Sequence, residues 1–488
     1  MNLAIRNILV YPAVLLFLAV NLWLMTRDVY VLNLLPVALL LAVIAFLSLD
    51  RLLLIIVFFT PLSIPLKHLV GDIGVDLFLP TEPLLAGVMI LFILKVIREK
   101  SADLHILLHP LAVVIYIYLF WMVVTSLTST LPLVSVKHTL ARMWFVTGYF
   151  FVAAHVFRDF RNIKKYLWAY ILSLTIVIFY TLFKQYQYGL FNQQASHSTV
   201  HPFYNDHTAY GAALAFLIPV LAGFVSGRNG KKPHRIIPGM FLTIFLVALV
   251  FSYTRAAWVS LAAAVVVFLL IRFRVSLTSM VVVLLTGTAF LFMYRAEIKM
   301  KLEANKETSS TDFATHVRSI TNITSDASNA ERINRWKSAW RMFREKPVYG
   351  WGPGTYQFNY AGFQMKKERT YISTNFGDLG NAHSEYMGPL SESGFPGLLT
   401  VLALVGVSVF TGLRVMRQAR DKPVSTLALT LLLGLVTYFT HGFLNNFLHT
   451  DKASALFWGF MSMLVALDIY HTRGISPETA QEGNIPDS

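Results

Sequence analysis

The chain has 488 residues, 56% of them hydrophobic, a mean hydropathy of +0.58 and a formal charge of +15. Soluble domains are about 45–50% apolar, so this balance belongs to a membrane protein. The absence of cysteine excludes a disulfide framework and any thiolate metal site, while the charge has two readings, an anionic partner or cytoplasmic loops that collect Lys and Arg.

The first residues, MNLAIRNILVYPAVLLFLAVNLWLM, start positively. Their apolar run is long and lacks a clear small-residue cleavage site, so they read as a first span and not as a cleaved signal peptide. Apolar runs long enough to cross about 30 Å of hydrocarbon recur along the chain. Candidate spans fall at 9–25, 30–48, 51–65, 80–97, 108–126, 138–156, 165–185, 208–226, 235–252, 256–272, 276–294, 386–413, 425–443 and 452–471. The short third span also fits a re-entrant segment. The expected fold is all-α: a polytopic integral membrane protein with about 12–14 transmembrane helices. Residues 1–294 form an N-terminal bundle, 295–385 a large outer loop containing an amphipathic helix, 386–471 C-terminal transmembrane helices, and 472–488 a disordered cytoplasmic tail.

Basic residues orient this scheme. Lys95/Arg98/Lys100, Arg158/Arg161/Lys164/Lys165, Arg228/Lys231/Lys232/Arg235, Arg272/Arg274 and Arg414/Arg417/Arg420/Lys422 all fall on one side if the spans alternate. That side is cytoplasmic and holds both termini. Much of the positive charge then needs no ligand.

In chain order, the outer side presents several candidate groups. Lys137 and Arg142 open the sixth span against the positive-inside pattern, either to hold an anion or as interfacial anchors. Asn205, Asp206 and His207 begin the eighth span as an ordinary helix cap or as ligand-binding groups. Arg255, in FSYTRAAW, has its charge at the apolar boundary, where an ionisable group is costly and points to function unless it is an anchor. In SNAERINRWKSAWRMFREKP, Ile333, Trp336, Trp340 and Phe343 form one helical stripe suited to a membrane interface. Arg332 and Arg344 flank that stripe, and Arg335 and Arg341 point further away. Arg332, at the helix start, is placed to hold an anion; Arg344 is read equally as a snorkelling side chain. The glycines of YGWGPGTYQF make a structural turn or a cradle of backbone amides.

His383 and Glu385 precede a run of 386–413 that is too long for one upright crossing. Pro389 and the pair Gly394 and Gly397 are expected to break it, leaving residues 383–393 as a polar shelf. Such irregular backbone survives at membrane depth only against protein or a wet cavity. An outward cavity with arginines and one histidine suits a lipid-linked phosphate or pyrophosphate. No repeat of fixed period, Walker A loop or dinucleotide glycine fingerprint is evident.

His383-Ser384, nine residues and Gly394-Phe395-Pro396-Gly397 resemble the His-[Asn/Ser/Gln]-x9-Gly-x-x-Gly pattern of bacterial O-antigen ligases. The Ser-x-x-Arg corner in FSYTRAAW and the Arg-x-x-x-Trp helix leading to Pro-x-x-Gly-x-Gly resemble the same superfamily, over about residues 200–415. That superfamily also contains O-antigen polymerases and protein O-oligosaccharyltransferases. The resemblance implies a GT-C-like, inverting, metal-independent glycosyl transfer on the periplasmic face of the bacterial inner membrane, with no cofactor. The glycan would move from undecaprenyl pyrophosphate to a lipid A–core sugar. By resemblance, Arg255 and Arg332 hold the pyrophosphate and His383 activates the acceptor hydroxyl. Lys137, Arg142, Asp206, His207 and Glu385 are substrate-binding candidates outside that carry-over, and either His383 or Glu385 can serve as base. Membrane lipids are expected partners; nucleic acid is not. A growing glycan or a protein remain alternative acceptors. A polyprenyl-glycan transporter is the reading from another class, disfavoured because charges cluster at helix ends and not at mid-membrane.

Overall fold

The computed structural model describes residues 3–27, 48–70, 77–99, 103–226, 233–275, 327–370, 373 and 380–472. The expected spans at 30–48 and 276–294, the basic residues Arg228, Lys231 and Lys232, the first part of the long outer loop and the C-terminal tail lie wholly or almost wholly outside them. Residues 1–55 and 56–488 form two compact units. The first contains helix α1, Leu3–Met25, and most of the short α2, Leu49–Phe59. At 1.5 Å per residue α2 is only about 16 Å long, roughly half a crossing.

In the second unit a two-residue antiparallel pairing, β1 Ile64–Pro65 with β2 Phe78–Leu79, leads into α3, Thr81–Glu99. Then follow α4, Pro110–Leu127, and α5, Pro132–Val146, which continues through a wide turn at Thr147–Val152. The long α6, Phe160–Tyr188, the short α7, Gln193–Thr199, and α8, His207–Ser226, come next. They precede α9, Pro233–Phe251, and α10, Arg255–Arg272. Beyond the undescribed stretch lie α11, Ala327–Glu345, α12, Met387–Gln418, α13, Lys422–His441, and α14, Asp451–Ala466. Among the described residues, seven helical segments are long and apolar enough to cross a membrane: α4, α6, α8, α10, α12, α13, and α14 with its extension to Thr472. The protein is an all-α polytopic membrane protein.

Helix ends follow local chemistry. The Asp159 carboxylate accepts from the Arg161 amide at 2.9 Å to start α6, which stops at Gly189 with φ 93°. Asp206 accepts from the Ala209 amide at 2.8 Å to start α8. The central packing joins α13 to α8, α10 and α12, with α4 against α12 and α11 against the start of α12. Gly223 and Gly211 let helices approach closely: an added Cβ would meet Thr430 at 2.4 Å and Thr254 at 2.6 Å.

The α14 start is fully buried and charged. Lys452 Nζ lies 3.3 Å from Asp451 Oδ1 and donates to Ser63 Oγ at 2.6 Å, while Ser63 Oγ also donates to Asp451 Oδ2 at 2.6 Å. The Phe78 ring lies 4.2 Å beneath the ammonium. Such a pair survives burial because its remaining donors and acceptors are matched.

The long run before residue 413 breaks at one point. Gly394, with φ 69° and ψ −169°, divides α12 into a short segment from Met387 and a crossing segment of about 36 Å beyond it. Pro389 does not contribute: it lies in the first turn, where its missing N–H would have had no helical partner. At the break, the Phe395 amide donates to Pro347 O at 2.8 Å, and Trp121 Nε1 donates to Ser393 O at 2.7 Å. A side chain at 394 would meet Val348 O at 2.0 Å. Gly394→Ala should therefore lower the thermal midpoint by the equivalent of at least about 1–3 kcal/mol. Gly406→Ala, where an added methyl meets nothing, should be neutral or stabilising by up to about 1 kcal/mol; paired melts in detergent measure both.

Candidate functional site

The Ser252–Arg255 corner is shaped by its hydroxyls. Thr254 Oγ1 donates to His207 O at 2.9 Å, tying the start of α10 to the start of α8. The Thr254 side chain makes no cap to the α10 amides, and the positive end of the helix dipole lies beside Arg255.

Helix α11 lies across this corner with an unexpected face inward. Its buried residues are Glu331, Asn334, Arg335, Ser338, Ala339 and Met342, whereas the expected apolar stripe is partly exposed and Trp340 stands half out. The buried polar face is possible because its groups are paired. Arg335 Nε donates to Glu331 Oε1 at 2.9 Å, and Thr370 Oγ1 donates to Glu331 Oε2 at 2.9 Å. Burial alone would raise the Glu331 pKa, but hydrogen bonds from Ser373 and Arg335 bring the carboxyl below its ordinary value. Arg335 Nη1 also donates to Asn381 O at 2.9 Å, and its guanidinium lies over the Tyr360 ring.

Arg332 projects the other way. Its Nε donates to Leu444 O at 3.1 Å and its Nη1 to Asn329 Oδ1 at 3.0 Å. Together with Arg255 it borders a cavity of about 480 Å³ that also receives His197, His207, Tyr253 and Trp336. The imidazoles of His197 and His207 stand 4.0 Å apart, and His207 Nδ1 is buried with no hydrogen-bond partner among the described residues.

His383 adjoins this cavity through Trp336, whose Nε1 reaches the His383 carbonyl at 3.4 Å. Its backbone is left-handed, φ 46°, held by Asn381 Oδ1 accepting from its amide at 3.0 Å. Ser384 Oγ accepts from the Tyr386 and Met387 amides at 3.2 and 3.3 Å and so caps the first segment of α12. Burial, with the charges of Arg335 and Arg332, lowers the His383 pKa to about 3. The imidazole is therefore neutral at ordinary pH.

Residues 239–402 match the family model of O-antigen ligase. The chain is similar to the O-antigen ligase family over that stretch, about a third of its length. No curated protein matches the chain. The O-antigen ligase match spans the Ser252–Arg255 corner, α11, the glycine turn and the His383 shelf. Its similarity to the ligase/polymerase superfamily rests on those elements.

The remaining candidates separate from this cavity. Glu385 Oε1 accepts from Tyr438 Oη at 2.7 Å and from the Phe447 and Leu448 amides at 2.7 and 2.9 Å. It borders a second, smaller cavity of about 70 Å³ with Arg142, His138, Glu392 and His449. Lys137 lies on the exposed side of α5. Asp206 caps α8, also accepting from Thr208 Oγ1 at 2.5 Å. Arg344 is exposed. The glycine turn binds protein: the Gly352 amide donates to Glu392 O at 2.7 Å, the Tyr356 amide to Glu392 Oε1 at 2.9 Å, and Gly350, Gly352 and Gly354 all have positive φ.

Among the described residues, no three His, Asp or Glu side chains group as a metal site. Sequence reasoning missed His197 and Arg335. The i,i+4 spacing of Glu331 and Arg335 was a usable signal for the second; nothing local marks His197.

Arg335→Met should strand the Glu331 carboxylate and loosen the 380–386 turn, at a cost of roughly 3–5 kcal/mol. The readout is faster amide exchange there with little change at α14. The Glu331 folded pKa lies below its unfolded one, so its contribution is complete above about pH 4.3 and disappears as pH falls through the lower folded value.

Proposed function

We propose that the protein is a glycosyltransferase that moves a glycan from undecaprenyl pyrophosphate to a lipid A–core sugar, an O-antigen ligase. The observation that carries this reading is the convergence of Arg255 and Arg332 on one cavity with the start of α10, next to a neutral His383. Two arginines and a helix start suit a pyrophosphate, gripped through its charge and its oxygens.

In the transfer, the acceptor hydroxyl oxygen attacks the anomeric carbon from the face opposite the pyrophosphate, giving inversion. The bond from that carbon to the pyrophosphate oxygen breaks, and the departing negative charge stays on the phosphate. Arg255 and Arg332 stabilise that charge as it grows, while the hydroxyl proton passes to His383. A neutral imidazole suits this role, and approach of the anionic pyrophosphate would raise its proton affinity. What favours His383 over Glu385 as base is that Glu385 Oε1 already accepts three hydrogen bonds and borders the other cavity. Arg142 is read as a counter-charge in that second cavity, and His207 as a contact to the phosphate or first sugar. Lys137 and Asp206 are not assigned a ligand contact.

The topological frame is the bacterial inner membrane with both termini cytoplasmic and this cavity periplasmic, supported by the basic clusters at the opposite helix ends. Residues 1–294 and 386–471 then supply the membrane part, 295–385 the periplasmic segment and 472–488 a cytoplasmic tail.

The test uses purified protein with undecaprenyl-pyrophosphate glycan and rough lipopolysaccharide, without nucleotide and with excess EDTA. Transfer is expected, falling about 10²–10⁴-fold in His383→Ala and about 10²–10³-fold in Arg332→Ala. Elongation of the lipid-linked glycan on itself would make the protein a polymerase. No chemistry with a matched glycan would return the reading to transport. A second measurement is direct: without donor lipid, the His383 ring nitrogens should remain in the neutral pattern from pH 8 to 5 by nitrogen NMR.

A further inference from the structure

The largest described opening lies at the end of the bundle opposite Arg255 and Arg332. A cavity of about 870 Å³ is bordered by the first turns of α6, α9 and α13 and the last turn of α8. Three cations, Lys164, Arg235 and Lys422, reach its edge, and no Asp or Glu lines it. Its wall is aromatic: Trp168 stacks on Phe224 at 5.8 Å and meets Phe241 edge-on at 5.3 Å. Arg235 Nε is buried and has no hydrogen-bond partner among the described residues. A buried guanidinium N–H of that kind costs free energy unless an acceptor reaches it.

From these observations we propose that this cavity binds an anionic glycerophospholipid, with the phosphodiester between Lys164, Arg235 and Lys422 and an acyl chain along Trp168, Phe224 and Phe241. The arrangement matches such a lipid from end to end. The cations sit at helix termini, the level of lipid headgroups, and the aromatic wall follows toward mid-bilayer. A soluble phosphate would satisfy the cations but leave the aromatic wall unfilled. Basic pockets between spans on this side of a membrane are suited to acidic headgroups. The inference rests on the membrane fold and the topology proposed above, and is independent of the transfer reaction.

The test is native mass spectrometry of delipidated full-length protein, titrated with phosphatidylglycerol or phosphatidylcholine at low salt. Phosphatidylglycerol should be retained the more tightly. That preference should fall about a hundredfold in the triple variant Lys164→Gln, Arg235→Gln, Lys422→Gln, at about one unit of charge attraction per residue. Arg161→Gln, Arg417→Gln, Arg420→Gln removes equal charge outside the cavity and should leave it unchanged. A photoactivatable phosphatidylglycerol on the wild-type chain should label α6 or α13 near these residues. Equal retention of both lipids, an unchanged preference in the cavity variant, or labelling confined elsewhere would overturn the proposal. So would displacement by millimolar inorganic phosphate, which would mark a soluble-anion site.

Discussion

A backbone that leaves its helix among membrane spans must find its hydrogen bonds inside the protein, and here that constraint falls on Gly394. The break frees peptide groups that water would otherwise satisfy. Pro347 O accepts from the Phe395 amide, Trp121 donates its indole N–H to Ser393 O, and the Gly352 amide donates to Glu392 O. Only glycine fits at 394 and 350, because a Cβ at either would lie within 2.3 Å of backbone. This clasp ties the end of α11 to the start of α12. It therefore sets where Arg332 and His383 stand, although neither belongs to it.

Polar side chains are handled in two distinct ways. Several interior carboxylates are matched: Asp451 with Lys452 and Ser63, Glu331 with Arg335, Glu385 with Tyr438 and two amides. Each match offsets a desolvation penalty that would otherwise remove the charge. Around the larger cavity on the His383 side, donors converge from separate elements without a carboxylate among the lining residues. That difference separates scaffold from proposed site more clearly than residue type does, since Arg335 and Arg332 lie on the same helix, one turn apart.

The neutral state of His383 follows from the same electrostatics. Burial and the charges of Arg335 and Arg332 all oppose protonation, and one of these arginines, Arg332, is also proposed to grip the anion. An incoming pyrophosphate would weaken that opposition. Donor binding and proton acceptance would then be coupled through charge alone, without a conformational change.

Composition and apolar run length determined the all-α membrane fold, and, leaving aside α7 and α11, the described helices from 110 onward begin and end within a few residues of the expected spans, apart from the extended ends of α6, α5 and α12, because crossing length and capping chemistry are local properties. The His383–Gly397 spacing likewise carried the family resemblance, and Gly394 the position of the break. Tertiary structure decided the rest. A stripe of Ile333, Trp336, Trp340 and Phe343 says which face of α11 is apolar, but not that its polar face packs inward against Thr370, Ser373 and Asn381. Glu385 is two residues from His383 in the chain and borders a different cavity, because its amide donates to Gly442 O and its carboxylate accepts from Tyr438 of α13. His197, Arg255 and Arg332 come together only through the packing of α7, α8, α10 and α11, a long-range arrangement that no local pattern encodes.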